Sequence, residues 1–165
     1  MQDDDCHSLQ VWLDDAWQTV IPVEGAFTIN TGDMAQIWSN GKYKAPLHRV
    51  LTNDCKERFS APFFYNPGYH CYMKPVVAEK SRAVYHPCLW GYFRAVRFAG
   101  DFPDLGVEIQ IDNYEINTGD SEKESKEKEY SLSEHPHLQR QRIFAEKARM
   151  DEPFDVERFR DLLTG

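Results

Sequence analysis

Between Gly32 and Phe64 a polar turn is flanked on both sides by β-favouring residues, and no other stretch limits the fold of this chain as tightly. Leu47, Val50 and Leu51 precede the turn, Phe59, Phe63 and Phe64 follow it, and the run from Thr52 to Glu57 supplies the turn formers. The pattern predicts an antiparallel hairpin. With the turn centred near Asn53-Asp54, His48 falls almost opposite Arg58. Side-chain alternation puts Arg58 and Ser60 on one face, which His48 can share at this register. An imidazole, a guanidinium and a hydroxyl then open onto one space. Such a set suits a small dianion, with the imidazole holding a metal that takes one end of the ligand and the Arg fork and Ser hydroxyl taking the far carboxylate.

The string GDMAQIWSNGKYKAPLHRV, followed by RFSAPFFYNP, resembles the C-terminal half of the Fe(II)/2-oxoglutarate-dependent dioxygenases of the isopenicillin N synthase-like group. Trp90 to Arg94 and Arg97 to Phe102 resemble the helix that follows the family's barrel, so the likeness runs from about Leu9 to about Tyr114. The resemblance implies that His48 is the last ligand of a 2-His-1-carboxylate iron site. It implies equally that Arg58 and Ser60 bind the distal carboxylate of 2-oxoglutarate. Expected cofactors are therefore Fe(II) and 2-oxoglutarate as cosubstrate, and the expected ligand class is a small-molecule substrate. The expected fold is mainly β, the C-terminal part of a double-stranded β-helix (jelly-roll, cupin-like) with a helical C-terminal tail.

The family's other two metal ligands come from an H-x-D or H-x-E motif on an earlier strand. None of the six histidines here (His7, His48, His70, His86, His135, His137) has an acid two residues on. The chain thus offers one of three expected ligands and is expected to be inactive alone, because one imidazole cannot hold Fe(II) against water. Asp33 is a conceivable substitute carboxylate, but its place after Gly32 fits a helix cap better. Two function classes stay open: the C-terminal portion of an oxidoreductase whose remaining ligands lie elsewhere, or a non-catalytic binding module derived from one.

A net charge of −8, with no concentration of Lys and Arg, argues against a nucleic-acid surface. No apolar run approaches the length of a membrane span, and the acidic opening Met1-Gln2-Asp3-Asp4-Asp5 is unlike a signal peptide, so a cytoplasmic protein is expected. Cys6, Cys55, Cys71 and Cys88 show no C-x-x-C spacing and are expected to be free thiols. The His70-Cys71 and His86/Cys88 neighbours do not make a zinc site, since adjacent strand residues point to opposite faces.

Along the chain, Leu9 to Leu13 and Trp17 to Val20 predict a tight hairpin turning at Asp14-Asp15, and Ala26 to Asn30 a further short strand. Asp33 is expected to cap a brief helix, Met34 to Trp38, stopped by Ser39-Asn40-Gly41. Trp12, Trp17 and Trp38 are expected in core and rim packing. A helix from Trp90 to Phe98 ended by Gly100, and an extended piece through Ile109, Ile111 and Ile116, should follow. Composition divides the chain into a partial jelly-roll (1–76), a family-like helix and extension (77–117), a charged linker (118–130) and a helical tail (131–165). Leu138 to Met150 and Phe154 to Leu163 both read as amphipathic helices, laid back on the parent domain or turned to a partner. Exposed strand edges are a second expected route to association.

Overall fold

A computed structural model describes residues 7–52, 57–77, 82–116, 135–149 and 151–165. The chain forms two compact units, Met1–Gln36 with Lys42–Asn66, and Ile37–Gly41 with Pro67–Gly165. The charged linker and the turn at Asn53-Asp54 lie outside the described residues.

The first unit is built on a three-stranded antiparallel sheet of order β2-β1-β3, with β1 at Leu9–Leu13, β2 at Ala16–Thr19 and β3 at His48–Val50. Leu13 pairs with Ala16, so Asp14 and Asp15 alone make the turn, as the sequence predicted. Their φ values of 51° and 57° give both central residues the left-handed backbone of a type I′ turn, which short Asx side chains tolerate and which matches strand twist. On one face Trp12 meets Trp17 edge-on at 5.3 Å between ring centroids. The Arg49 guanidinium lies 4.0 Å above the Trp17 ring. Trp12 remains more than one-third exposed and Trp38 more than half, so neither indole lies in a core.

The expected hairpin between 47–51 and 58–64 does not form as a ladder among the described residues. β3 pairs with β1 instead, Val11 opposite His48 and Leu9 opposite Val50, and the ladder continues through Leu51 N–H to Ser8 O at 2.9 Å. Alternation announces a strand but not its partner, and here the partner lies far away in sequence. Ala26 to Asn30 also forms no strand. Its β-type side chains have no ladder to join, and Phe27 and Ile29 stay exposed. For the same reason the described residues hold more helix than strand, against the expectation of a mainly β chain.

Helix α1, Asp33–Trp38, begins in the first unit and ends in the second. It closes where Asn40 and Gly41 take φ of 55° and 80°. The second unit carries most of the buried apolar side chains. A two-stranded ladder, β4 at Tyr72–Met73 and β5 at Cys88–Leu89, leads directly into α2 at Trp90–Asp101. The first N–H groups of α2 donate to the carbonyls of Cys71 and Tyr69 at 3.0 and 2.9 Å, so the loop before β4 caps the helix. The helix runs through Gly100 rather than stopping there. Gly100 serves close approach, since a Cβ would overlap the carbonyl oxygen of Val107. The expected extended piece is in part a 3-10 turn at Ile111–Tyr114, with a single bridge between Glu115 and Tyr85.

The tail forms α3, Pro136–Lys147, and α4, Val156–Thr164. Both pack on α2 within the second unit. Phe144 meets Phe159 at 5.1 Å and Tyr92 at 5.9 Å, and Phe154 stacks on Phe159 at 5.6 Å. Of the two arrangements the sequence left open, the tail laid back on its own chain is the one observed. No helix among the described residues is long and apolar enough to cross a membrane.

Candidate functional site

The sequence-predicted site residues His48, Arg58 and Ser60 all belong to the first unit. His48 opens β3, and its register opposite Val11 sets it on the sheet face shared with Leu9, Leu13 and Val50. The ring is exposed, and its Nδ1 lies 3.1 Å from the carbonyl oxygen of Pro46. A carbonyl can only accept, so this contact is a hydrogen bond when Nδ1 carries the hydrogen, and in that neutral tautomer Nε2 holds the lone pair. A ring held so can ligate a metal through Nε2.

Arg49 takes the opposite face. Its Nε donates to Gln10 Oε1 at 2.9 Å while its guanidinium covers Trp17. Gln10 in turn reaches Thr19 Oγ1 at 3.3 Å. This arginine is therefore committed to a cross-strand cluster and is not a ligand clamp. Sequence alternation puts Arg49 and His48 on opposite faces; the partners of Arg49 needed the register.

Arg58 and Ser60 come together as expected from their spacing. Nη1 of Arg58 donates to Ser60 Oγ at 3.2 Å, with the arginine half-buried and the serine exposed. A guanidinium and a hydroxyl fixed side by side offer parallel donors to one carboxylate. Phe59 between them points elsewhere and is exposed, as are Phe63 and Phe64.

Metal ligation is the part the described residues do not complete. Among the described residues no group of three His, Cys, Asp or Glu side chains is placed to hold a metal ion. His48 supplies one nitrogen, and a three-ligand iron centre does not fit the donors present. Asp33 is the first residue of α1, where a carboxylate favours the helix dipole. Cys71 and Cys88 are free thiols, the first exposed and the second buried.

A feature that sequence reasoning missed lies in the second unit. Gln141 of α3 is buried, and its amide donates to Pro87 O and accepts from Leu89 N–H, both at 2.9 Å. Tyr114 Oη adds a longer contact of 3.4 Å. Burial pushes the Tyr114 hydroxyl well above the usual phenol range. A polar residue within an amphipathic helix gives no sequence signal of this kind.

Residues 1–67 match the model of the 2OG-Fe(II) oxygenase superfamily. Jasmonate-induced oxygenase 2 from Arabidopsis thaliana is 41% identical over 115 residues, 67% of this chain and 31% of that protein. Homoarginine-6-hydroxylase 2-ODD-C23 from Glycine max is 45% identical over 83 residues, 50% of this chain and 25% of that protein. Among solved structures, the crystal structure of JOX2 in complex with 2OG, Fe and JA aligns with a TM-score of 0.53 at 41% identity, covering 57% of this chain and 29% of that one. The chain thus spans between a quarter and a third of the length of these relatives.

Proposed function

The chain belongs, through its N-terminal part, to the 2OG-Fe(II) oxygenase superfamily, and from that premise we propose that it carries the cosubstrate-clamping portion of an Fe(II)/2-oxoglutarate-dependent dioxygenase. The observation that carries the reading is the Arg58–Ser60 pair, which holds guanidinium and hydroxyl donors together within the matched stretch. In this reading Arg58 and Ser60 take the distal carboxylate of 2-oxoglutarate. His48, with Nε2 available, is one iron ligand. Iron would supply the dioxygen chemistry, and the donors that complete its coordination come from outside the described residues. The substrate is a small molecule that the chain's own residues do not identify.

The three-stranded sheet is part of a double-stranded β-helix, and its exposed β-type segments at 20–31 and 57–66 are strands of that fold waiting for partners. The chain is in this respect a fragment, working in the cytoplasm. A second reading, a non-catalytic binding module, draws on the incomplete donor set.

An anaerobic titration of the purified chain with Fe(II) and 2-oxoglutarate tests the incompleteness. The visible charge-transfer band of a chelated complex should not appear, and no succinate should form in air. A saturable band that disappears in Arg58→Ala would contradict the reading, because it would show a complete site within these residues.

A further inference from the structure

Three imidazoles sit at the joint between the tail and the rest of the second unit. His135 and His137 flank Pro136 at the start of α3. His86, 2% exposed on the segment that leads into β5, places its ring 4.5 Å from that of His135. His137 turns towards α2, with Nδ1 3.1 Å from the Tyr92 hydroxyl, and its ring lies over Tyr114 at 6.4 Å.

Among the described residues, groups on several elements lie around these rings. His86 meets His135 from α3, and the backbone N–H of His86 donates to Tyr114 O at 2.7 Å. Glu115, next along that segment, accepts from the Tyr85 hydroxyl at 3.4 Å. His137 meets Tyr92, whose hydroxyl burial pushes up to about 12, so that group is neutral and offers no counter-charge. Arg140, one turn further along α3, and the positive end of the helix dipole add charge of the sign an imidazolium would carry. Burial holds His86 and His137 below the ordinary imidazole value, with His135 adding to the first and Arg140 to the second.

We propose that this joint is an acid-released clasp, in which protonation of the buried His86 ring against the facing His135 ring detaches α3 and α4 from α2. A neutral His86 ring rests against His135, tilted 54° to it, without electrostatic cost, whereas an imidazolium there is cut off from water and faces a ring that can carry only positive charge. The sign follows from the neutral form being favoured in the folded state. The clasp is fully closed above the ordinary imidazole value of about 6.5, and it weakens as pH falls through that value towards the lower folded-state one. Opening bares the aromatic seam of Tyr92, Phe144 and Phe159.

Hydrogen exchange on the full chain at two pH values, with rates corrected for intrinsic pH dependence, tests this. Between neutral and mildly acid pH, amides of α3 and α4 should lose protection while β1 and β2 keep theirs. His135→Asn retains a polar side chain at the helix start and should remove most of the acid-induced loss; the exposed His70→Asn should not. Equal protection at both pH values would overturn the proposal. So would an unchanged acid response in His135→Asn, or loss of β1 and β2 protection in step with α3. If His135→Asn is already unprotected at neutral pH, His86→Asn, which removes the other ring of the pair, is read in its place, and an unchanged acid response there overturns the proposal equally.

Discussion

Gln141 behaves like a residue of a strand while sitting on a helix. Its amide pairs with Pro87 O and Leu89 N–H as a neighbouring backbone would, closing the open edge of β5. Replacing it with Leu keeps the volume and leaves two buried backbone groups unmet. Gln141→Leu should therefore cost about 1–3 kcal/mol, read as a shift in a chemical denaturation midpoint, and an unshifted midpoint would contradict the assigned role. Residue-scale legibility followed range in sequence. Arg58 and Ser60, two apart, were correctly expected to share a face because alternation is a local rule. Gly100 was read as a helix stop because glycine commonly is one, whereas its actual task, making room for the Val107 carbonyl, depends on a contact that local pattern cannot carry. Gln141 sent no signal at all, since a single polar residue on a half-polar helix is what a solvent-facing position also looks like.

Among the elements, the β1–β2 hairpin and its Asp14-Asp15 turn were legible, with β2 displaced by one residue from the expected Trp17 to Val20, because a two-residue turn between alternating segments fixes its own register. Its aspartates hold left-handed backbone at Asp14 and Asp15. Glycine adopts that conformation without the side-chain clash, so Asp15→Gly should stabilise the hairpin by about 0.5–1 kcal/mol. Slower amide exchange at Val11 and Gln18, a hydrogen-bonded pair of this hairpin, would register the gain, and faster exchange would contradict the turn assignment. The neighbouring ladder was not legible. β3 carries the same kind of pattern but pairs with β1 across more than thirty intervening residues rather than with the Arg58 segment, so register between His48 and Arg58 could not be read from the turn. The tail helices were legible as amphipathic segments. Their destination on α2 was decided by aromatic contacts at Tyr92, Phe144 and Phe159, which the sequence names but does not join.

Across the whole molecule, burial is unequal between the two units. The second unit encloses Tyr92, Tyr114, Leu89, Ile109 and Val96 almost completely, whereas in the first Phe27, Ile29, Phe63, Phe64 and Tyr65 are each 74% exposed or more. Single exposed apolar residues are ordinary, but so many β-type side chains on one small unit mark surface that the proposed function assigns to further strands. The relatives, with this chain matching only 25–31% of their length, carry far more polypeptide than these residues alone. On the proposed function, residues of this unit serve a 2-oxoglutarate site once the rest of such a protein surrounds them. The most direct measurement grafts residues 7–67 into jasmonate-induced oxygenase 2 in place of its matching segment and follows conversion of 2-oxoglutarate to succinate. The account predicts turnover in the folded graft, a rise of roughly tenfold or more in the cosubstrate KM for Arg58→Ala, as expected for losing a charge-assisted contact, and no turnover for His48→Ala. A folded graft without turnover, or one indifferent to both substitutions, would contradict it.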